Sequence, residues 1–269
     1  MIQIKDNTLK RISTWIDSSI YILMDFDRTL TTKDSENSWS VISKNNQTPK
    51  EYTKKTYELF KYYRPYEIDE TIDYNTKSNL MNEWWNKHIN LFSKYQISKD
   101  IIENKETILN SITFRKGTKE FFQNMNERNI PIIIVSAGIG NIIESSLILN
   151  DCYFDNIHII ANFFKYENNI VKSISGNIIH SLNKSEVSMT TDILENIKNR
   201  NNIILIGDAI ADIQMAKKEH QKNALKIGFL ETNVEENKPY YEKYFDIVCT
   251  DNTSYNELTE KINLLNRHL

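Results

Sequence analysis

Cysteine is scarce in this sequence. Cys152 and Cys249 are the only two in 269 residues, far apart and outside any Cys-x-x-Cys pattern, which excludes a disulfide framework and a cysteine-ligated zinc site. Both thiols are expected to be reduced and buried. A dominant charge of one sign is also lacking. Thirty-three Lys and Arg stand against thirty-six Asp and Glu, a formal net charge of -3, and no basic block marks a nucleic-acid footprint or a membrane-binding tail. No long hydrophobic run occurs either, since residues 130–135 fall far short of the roughly 20 apolar residues that a membrane-spanning helix needs. Residues 1–12 alternate apolar with charged side chains instead of forming the apolar core of a secretory signal, so a cytoplasmic location is expected.

The length suits one large α/β domain, or a core domain carrying a smaller inserted one. Short apolar runs at 21–24, 130–135, 157–161, 203–206 and 225–229 read as buried strands of a parallel sheet. Between them, 117–128, 141–149 and 185–198 have the length and mixed spacing of helices. Strand and helix alternating in this way predict a doubly wound, Rossmann-like parallel sheet, with ligands bound beyond the carboxyl ends of the strands. Residues 33–112 hold no buried strand pattern, contain no glycine, and read as helices rich in Tyr, Trp, Lys and Glu. We therefore expect an α/β core formed by 1–32 and 113–269, with 33–112 inserted as a helical cap that closes over a substrate and excludes water.

The residues that follow the strands carry the chemistry. After the first comes Asp25-Phe26-Asp27-Arg28-Thr29-Leu30, two carboxylates two residues apart. Alone, the pair is also compatible with ordinary turn-forming Asp residues. After the second strand, Ser136-Ala137-Gly138-Ile139-Gly140 leads into a helix expected from Asn141, a hydroxyl and small residues able to seat a phosphate on free backbone N–H groups. Lys184 follows Ile178-Ile179-His180, and Gly207-Asp208 follows the strand at 203–206, with Asp212 four residues on. Clustered carboxylates repel one another unless a cation neutralises them. Hard oxygen ligands beside a phosphate seat describe a Mg²⁺ site.

In this order the motifs resemble those of the haloacid dehalogenase superfamily: Asp-x-Asp-x-Thr, a Ser or Thr, a Lys or Arg, and a terminal acidic pair. The resemblance implies that Asp25 is the nucleophile forming an aspartyl phosphate, and that Asp27 is the general acid and base. Ser136, the amides of Ala137 and Gly138, and Lys184 would hold the transferring oxygens. Mg²⁺ would bind Asp25, the Asp27 carbonyl and Asp208, supported by Asp212.

A narrower resemblance, to the cytosolic 5′-nucleotidase III family of pyrimidine and 7-methylguanosine monophosphate hydrolases, runs from about Tyr57 onward. It rests on the Ser136 and Asn183-Lys184 segments, Ala161-Asn162-Phe163, Leu225-Lys226-Ile227-Gly228, Tyr62-Tyr63-Arg64-Pro65-Tyr66-Glu67 and Glu83-Trp84-Trp85. It implies that Glu67 accepts hydrogen bonds from the base. Aromatic side chains would stack on the base, with Trp85 chosen first and Trp39 second. Both Trp84 and Trp85 have an alternative role in packing the cap helices, and His88 either lines the pocket or covers its helix. The stretch 31–47 departs from the family pattern, so a phosphorylated amino acid or sugar phosphate stays open as substrate. A receiver-like signalling module and a silent phosphate-binding module are the non-enzymatic alternatives.

Overall fold

The computed structural model describes residues 1–69, 71–184 and 189–266. In chain order its elements begin with β1 (Ile2–Ile4), α1 (Thr8–Ile12) and β2 (Ile20–Met24). Five helices follow without an intervening strand: α2 (Ser38–Lys44), α3 (Lys50–Ile68), α4 (Tyr74–Lys94), α5 (Lys99–Ile102) and α6 (Lys105–Ser111). Next come α7 (Thr118–Glu127), β3 (Ile132–Ile139), α8 (Gly140–Leu149), β4 (Ile157–Asn162), β5 (Phe164–Glu167), β6 (Ile170–Ile174), α9 (Thr191–Ile197) and β7 (Asn202–Gly207). The chain continues through α10 (Lys218–Gln221), β8 (Leu225–Phe229), α11 (Val234–Tyr244), β9 (Ile247–Cys249) and α12 (Tyr255–Asn266).

Seven strands form one sheet in the order β1-β9-β8-β7-β2-β3-β4. All neighbours are parallel except β1, which runs antiparallel to β9 at the edge. Numbered along the chain, the parallel strands lie in the order 3-2-1-4-5-6, which is the doubly wound topology. The winding reverses at β2, between β3 and β7, so a crevice opens at its carboxyl end.

The period-two alternation of side chains divides the apolar strand residues between two cores. Ile22, Met24, Ile132, Ile134, Ile204 and Ile206 face a core shared with Phe122 of α7 and Ile143 of α8. Tyr21, Leu23, Ile133, Val135, Ile203 and Leu205 face the other side, against Ile193 and Ile197 of α9. Burial on both faces is why these strands read as unbroken apolar runs.

Within the inserted helices, cap residues set the starts. Asn37, Asp73 and Asn104 each accept a hydrogen bond from the backbone N–H three residues on, at 2.9, 3.0 and 2.9 Å. Helix α4 buries Met81, Trp84, Trp85, His88 and Phe92, a stripe at helical spacing. Its Phe92 joins the main core, while Trp84 and Met81 pack with Tyr63 of α3.

The structure departs from the sequence reading in three places. The helix expected over 185–198 starts at Thr191, with Met189 and Thr190 outside any helix; Ser185 to Ser188 lie outside the described residues. The β5–β6 hairpin was not foreseen. Its turn is Asn168-Asn169, both with positive φ (50° and 66°), a conformation that asparagine tolerates, but its strands are too short and mixed to announce themselves. The edge strands β1 and β9, three residues each, were missed for the same reason.

Candidate active site

Met24 ends β2 and Asp25 begins the crevice. The Asp25 N–H still donates to Ile206 of β7 (3.0 Å), and the residue is 4% exposed. A tight turn follows, in which the Phe26 carbonyl accepts from the N–H groups of Thr29, Leu30 and Thr31 at 2.9–3.3 Å. Arg28 takes a left-handed conformation there (φ 63°), and its N–H donates to Thr31 Oγ1 (2.8 Å).

This turn is clamped from outside by Arg115, which the sequence reading did not single out. Its guanidinium donates to the carbonyls of Thr29 (2.8 Å) and Arg28 (2.5 Å). The same group makes a forked pair with Glu231 (2.7 and 3.1 Å) and lies 4.0 Å over the Phe229 ring.

The two carboxylates of the motif have different surroundings. Asp25 accepts from Lys184 Nζ, which also donates to Asp212 (3.1 Å). Asp27 instead accepts from the backbone N–H (3.1 Å) and hydroxyl (3.3 Å) of Ser38, the first residue of α2. Burial pushes Asp25 up to about 7 against the attraction of Lys184, and the charge of Asp212 adds to the rise. Burial pushes Asp27 up to about 6, moderated by its Ser38 bonds. Asp208 is raised well above the usual carboxylate range, first by burial and then by Asp212 and Asp25. Burial works against the charge of Lys184, but Asp212 and Asp25 together hold its pKa above the ordinary value.

The second acidic pair comes from the end of β7. A 3₁₀ turn at Ile210–Met215 brings Asp212 back, and its carboxylate caps the Ala209 N–H (3.0 Å). A Cβ on Gly207 would stand 2.5 Å from Asp212 Oδ2, so glycine is required for that return. Oxygens of Asp25, Asp208 and Asp212 lie within 4.8 Å of one another. Three carboxylates offering hard oxygens, with burial raising two of their pKa values, fit a divalent cation. Asp212 thus stands among the cluster's oxygens as fully as Asp208, while the Asp27 carboxylate points to Ser38 instead.

Ser136, Ala137 and Gly138 belong to the end of β3, which runs into the expected helix, α8, at Gly140. The pairing of β3 with β4 shifts between Val135 and Ile139. Ser38 links this strand end to Asp27. Ser136 Oγ accepts from the Gly138 N–H (3.0 Å), and Ser38 Oγ accepts from the Ile139 N–H (3.2 Å). A Cβ on Gly138 would lie 2.2 Å from Ser38 Oγ, so the close approach demands glycine. Buried Asn162 joins this segment to the Lys184 loop. It donates to the carbonyls of Ala137 (2.9 Å) and Ile179 (2.8 Å) and accepts from the Ile179 N–H (2.9 Å).

Of the base-binding candidates, Trp39 and Trp85 meet, with ring centroids 4.0 Å apart. The Trp39 indole N–H donates to the Ala137 carbonyl (3.0 Å), tying this aromatic pair to the end of β3. Trp84 stacks on Tyr63 (5.7 Å) within the helical layer, and His88 is buried among Trp39, Trp84 and Trp85. Glu67, on the last turn of α3, pairs with Arg64 at 2.5 Å.

With this geometry in view, the family model described as pyrimidine 5′-nucleotidase (UMPH-1) matches residues 26–265. The chain belongs to that family. The pyrimidine 5′-nucleotidase family assignment is supported by the 7-methylguanosine phosphate-specific 5′-nucleotidase of Mus musculus, 32% identical over 259 residues, covering 93% of this chain and 84% of that protein. The B form of the Xenopus laevis enzyme is 34% identical over 250 residues, covering 89% and 85%. Among solved structures, cytosolic 5′-nucleotidase IIIB bound to cytidine superposes with a TM-score of 0.85 at 26% identity, covering 99% of this chain and 94% of that one. A substrate-bound phosphoserine phosphatase (TM-score 0.58, 20% identity, covering 90% of this chain and 97% of that one) shares the fold of the haloacid dehalogenase phosphatases. As a family member the chain is a phosphatase; in its structure Lys184 joins Asp25 to Asp212, and Ser38 joins Asp27 to the end of β3.

Proposed function

We propose that this protein is a Mg²⁺-dependent 5′-nucleotidase that removes phosphate from pyrimidine or 7-methylguanosine 5′-monophosphates through an aspartyl phosphate on Asp25. The observation that carries the reading is the division of labour in Asp25-Phe26-Asp27. One carboxylate is paired with Lys184, and the other, half-buried, is held on Ser38 instead of in the cluster, with its pKa near 6.

Asp25 attacks phosphorus as Asp27 passes a proton to the departing nucleoside oxygen. Asp27 then takes a proton from the water that attacks the aspartyl phosphate, releasing phosphate and restoring Asp25. A group that titrates near 6 serves both steps at neutral pH. Ser136, the Ala137 and Gly138 amides and Lys184 hold the phosphoryl oxygens. Asp25, the Asp27 carbonyl, Asp208 and Asp212 would hold Mg²⁺, whose chemistry is to neutralise charge on the transferring group.

The cap reading assigns 33–112 to a domain above a core of 1–32 and 113–269. Its support is that α2 delivers Ser38 and Trp39 directly to Asp27 and Ala137. Glu67 would accept from the base, and the Trp39–Trp85 pair would stack on it by an outer face. The reading also places the protein in the cytoplasm. One relative is named as a putative cytosolic 5′-nucleotidase, and among the described residues no helix is long and apolar enough to cross a membrane.

The test is phosphate release, with and without Mg²⁺, from cytidine, uridine and 7-methylguanosine monophosphates beside purine nucleotides, phosphoserine and sugar phosphates. Selective, Mg²⁺-dependent turnover of the first three is expected. Turnover confined to phosphoserine or sugar phosphates would retain the catalytic residues and remove the base-binding role of the cap.

A further inference from the structure

Buried side-chain polar atoms without a hydrogen-bond partner are rare, and each calls for an explanation. Eight occur among the described residues, and four of them come from two segments that meet where Leu182 packs on Trp84: Trp84 Nε1, His88 Nδ1, His180 Nε2 and Ser181 Oγ. The first two come from α4 and the last two from the loop that ends at Lys184.

That loop is fastened to the inserted helices. Leu182 packs on the Tyr63, Met81 and Trp84 cluster, and the Tyr74 hydroxyl donates to the Leu182 carbonyl (3.1 Å). Glu67 lies one turn beyond Tyr63 on α3, on the same helix face.

His180 is the best defined of the four. It is 1% exposed, and its backbone N–H is held by Asn183 Oδ1 (2.7 Å). Its Nδ1 accepts from the Leu182 N–H (3.2 Å), which places the ring proton on Nε2 and makes the unpartnered atom a donor. Burial holds the His180 pKa below its usual value against the opposing charge of Glu67, so the ring stays neutral and offers a single N–H.

We propose that His180 is a specificity-determining residue, presenting Nε2–H as a donor beside the Glu67 acceptor. Together they read a base edge on which a ring carbonyl or bare ring nitrogen adjoins an N–H. Cytosine and 7-methylguanine both carry such an edge. The inference rests on the nucleotide reading above and adds to it the donor that a lone carboxylate cannot supply.

The first test is His180→Phe, which keeps a buried ring and removes the donor. KM for cytidine monophosphate is expected to rise about tenfold more than KM for p-nitrophenyl phosphate, which has no base edge. His180→Gln, which restores a donor, should recover most of that difference. Equal changes on both substrates, or a fall confined to kcat, would overturn the inference and return His180 to a supporting role for the Lys184 loop.

A measurement on the unaltered protein covers the case of a variant that does not fold. Inhibition by cytidine should exceed that by 3-deazacytidine, which keeps the amino N–H but lacks the bare ring nitrogen beside it, by about tenfold, and equal inhibition overturns the inference. If the unaltered protein itself shows no preference for nucleotides over p-nitrophenyl phosphate, the nucleotide reading falls, and His180's role with it.

Discussion

Replacing Arg115 with methionine keeps an apolar stem against Phe229 while deleting the guanidinium that clamps the catalytic turn. The Arg115 and Glu231 side chains are 1% and 7% exposed, so the substitution strands a buried carboxylate. Stranding one member of a buried ion pair costs about 3–5 kcal/mol. At roughly 2–4 °C per kcal/mol for a chain of this size class, the melting temperature should fall by about 6–20 °C.

The double variant Arg115→Met, Glu231→Met removes both charges and should recover most of that loss. Activity should not recover with it, because the Arg28 carbonyl still lacks its Arg115 donor and the Thr29 carbonyl keeps only the Tyr255 hydroxyl (3.2 Å), so the left-handed turn between Asp27 and Thr31 is held less firmly. A displacement of about 1 Å at such a site costs on the order of 100-fold in rate. Thermal melts paired with kcat measurements separate the two effects. A single variant that melts within about 1 °C of the parent, or a double variant with full activity, would refute the reasoning.

Asp25→Asn should abolish turnover with the melting temperature retained, as circular dichroism would show; substantial residual activity removes Asp25 as nucleophile. In the presence of a chelator, Asp25 and Asp27 titrate near 7 and 6 in the folded chain against the ordinary carboxylate value of 3.8 in the unfolded one, so the folded state binds more protons between those limits. Stability should therefore fall as pH rises from about 4 to about 7 and then level off, and Mg²⁺ should restore it most above pH 7; a flat profile contradicts the buried cluster. Ser38→Ala removes a donor to Asp27 and the acceptor of the Ile139 N–H, at a cost of about 1–3 kcal/mol. The pKa of Asp27 read from the pH–rate profile should rise with it, and an unmoved profile would detach Ser38 from catalysis. Glu67→Ala should weaken nucleotide turnover more than that of an aryl phosphate, and equal losses would remove Glu67 from base recognition.

The residues legible in advance were those whose role is written locally. An apolar run ending in Asp25-Phe26-Asp27, or in Gly207-Asp208 with Asp212 one turn on, announces a strand end and its carboxylates within a few residues. The alternation of unbroken apolar runs with helical segments was enough to indicate a doubly wound sheet, because strands buried on both faces must be apolar throughout. Ser38, Arg115, Glu231 and Asn162 were not legible in the same way. Each is a common polar residue whose meaning lies in a distant partner: Ser38 in Asp27 and Ile139, Arg115 in Glu231 116 positions away, Asn162 in Ala137 and Ile179. The sequence alone thus determined the order of the chemical groups along the chain and the sheet that carries them. Only the tertiary structure decided which groups share a charge, which carbonyls are clamped and where buried donors are left unpaired, because hydrogen bonds and Coulomb forces depend on separation in space.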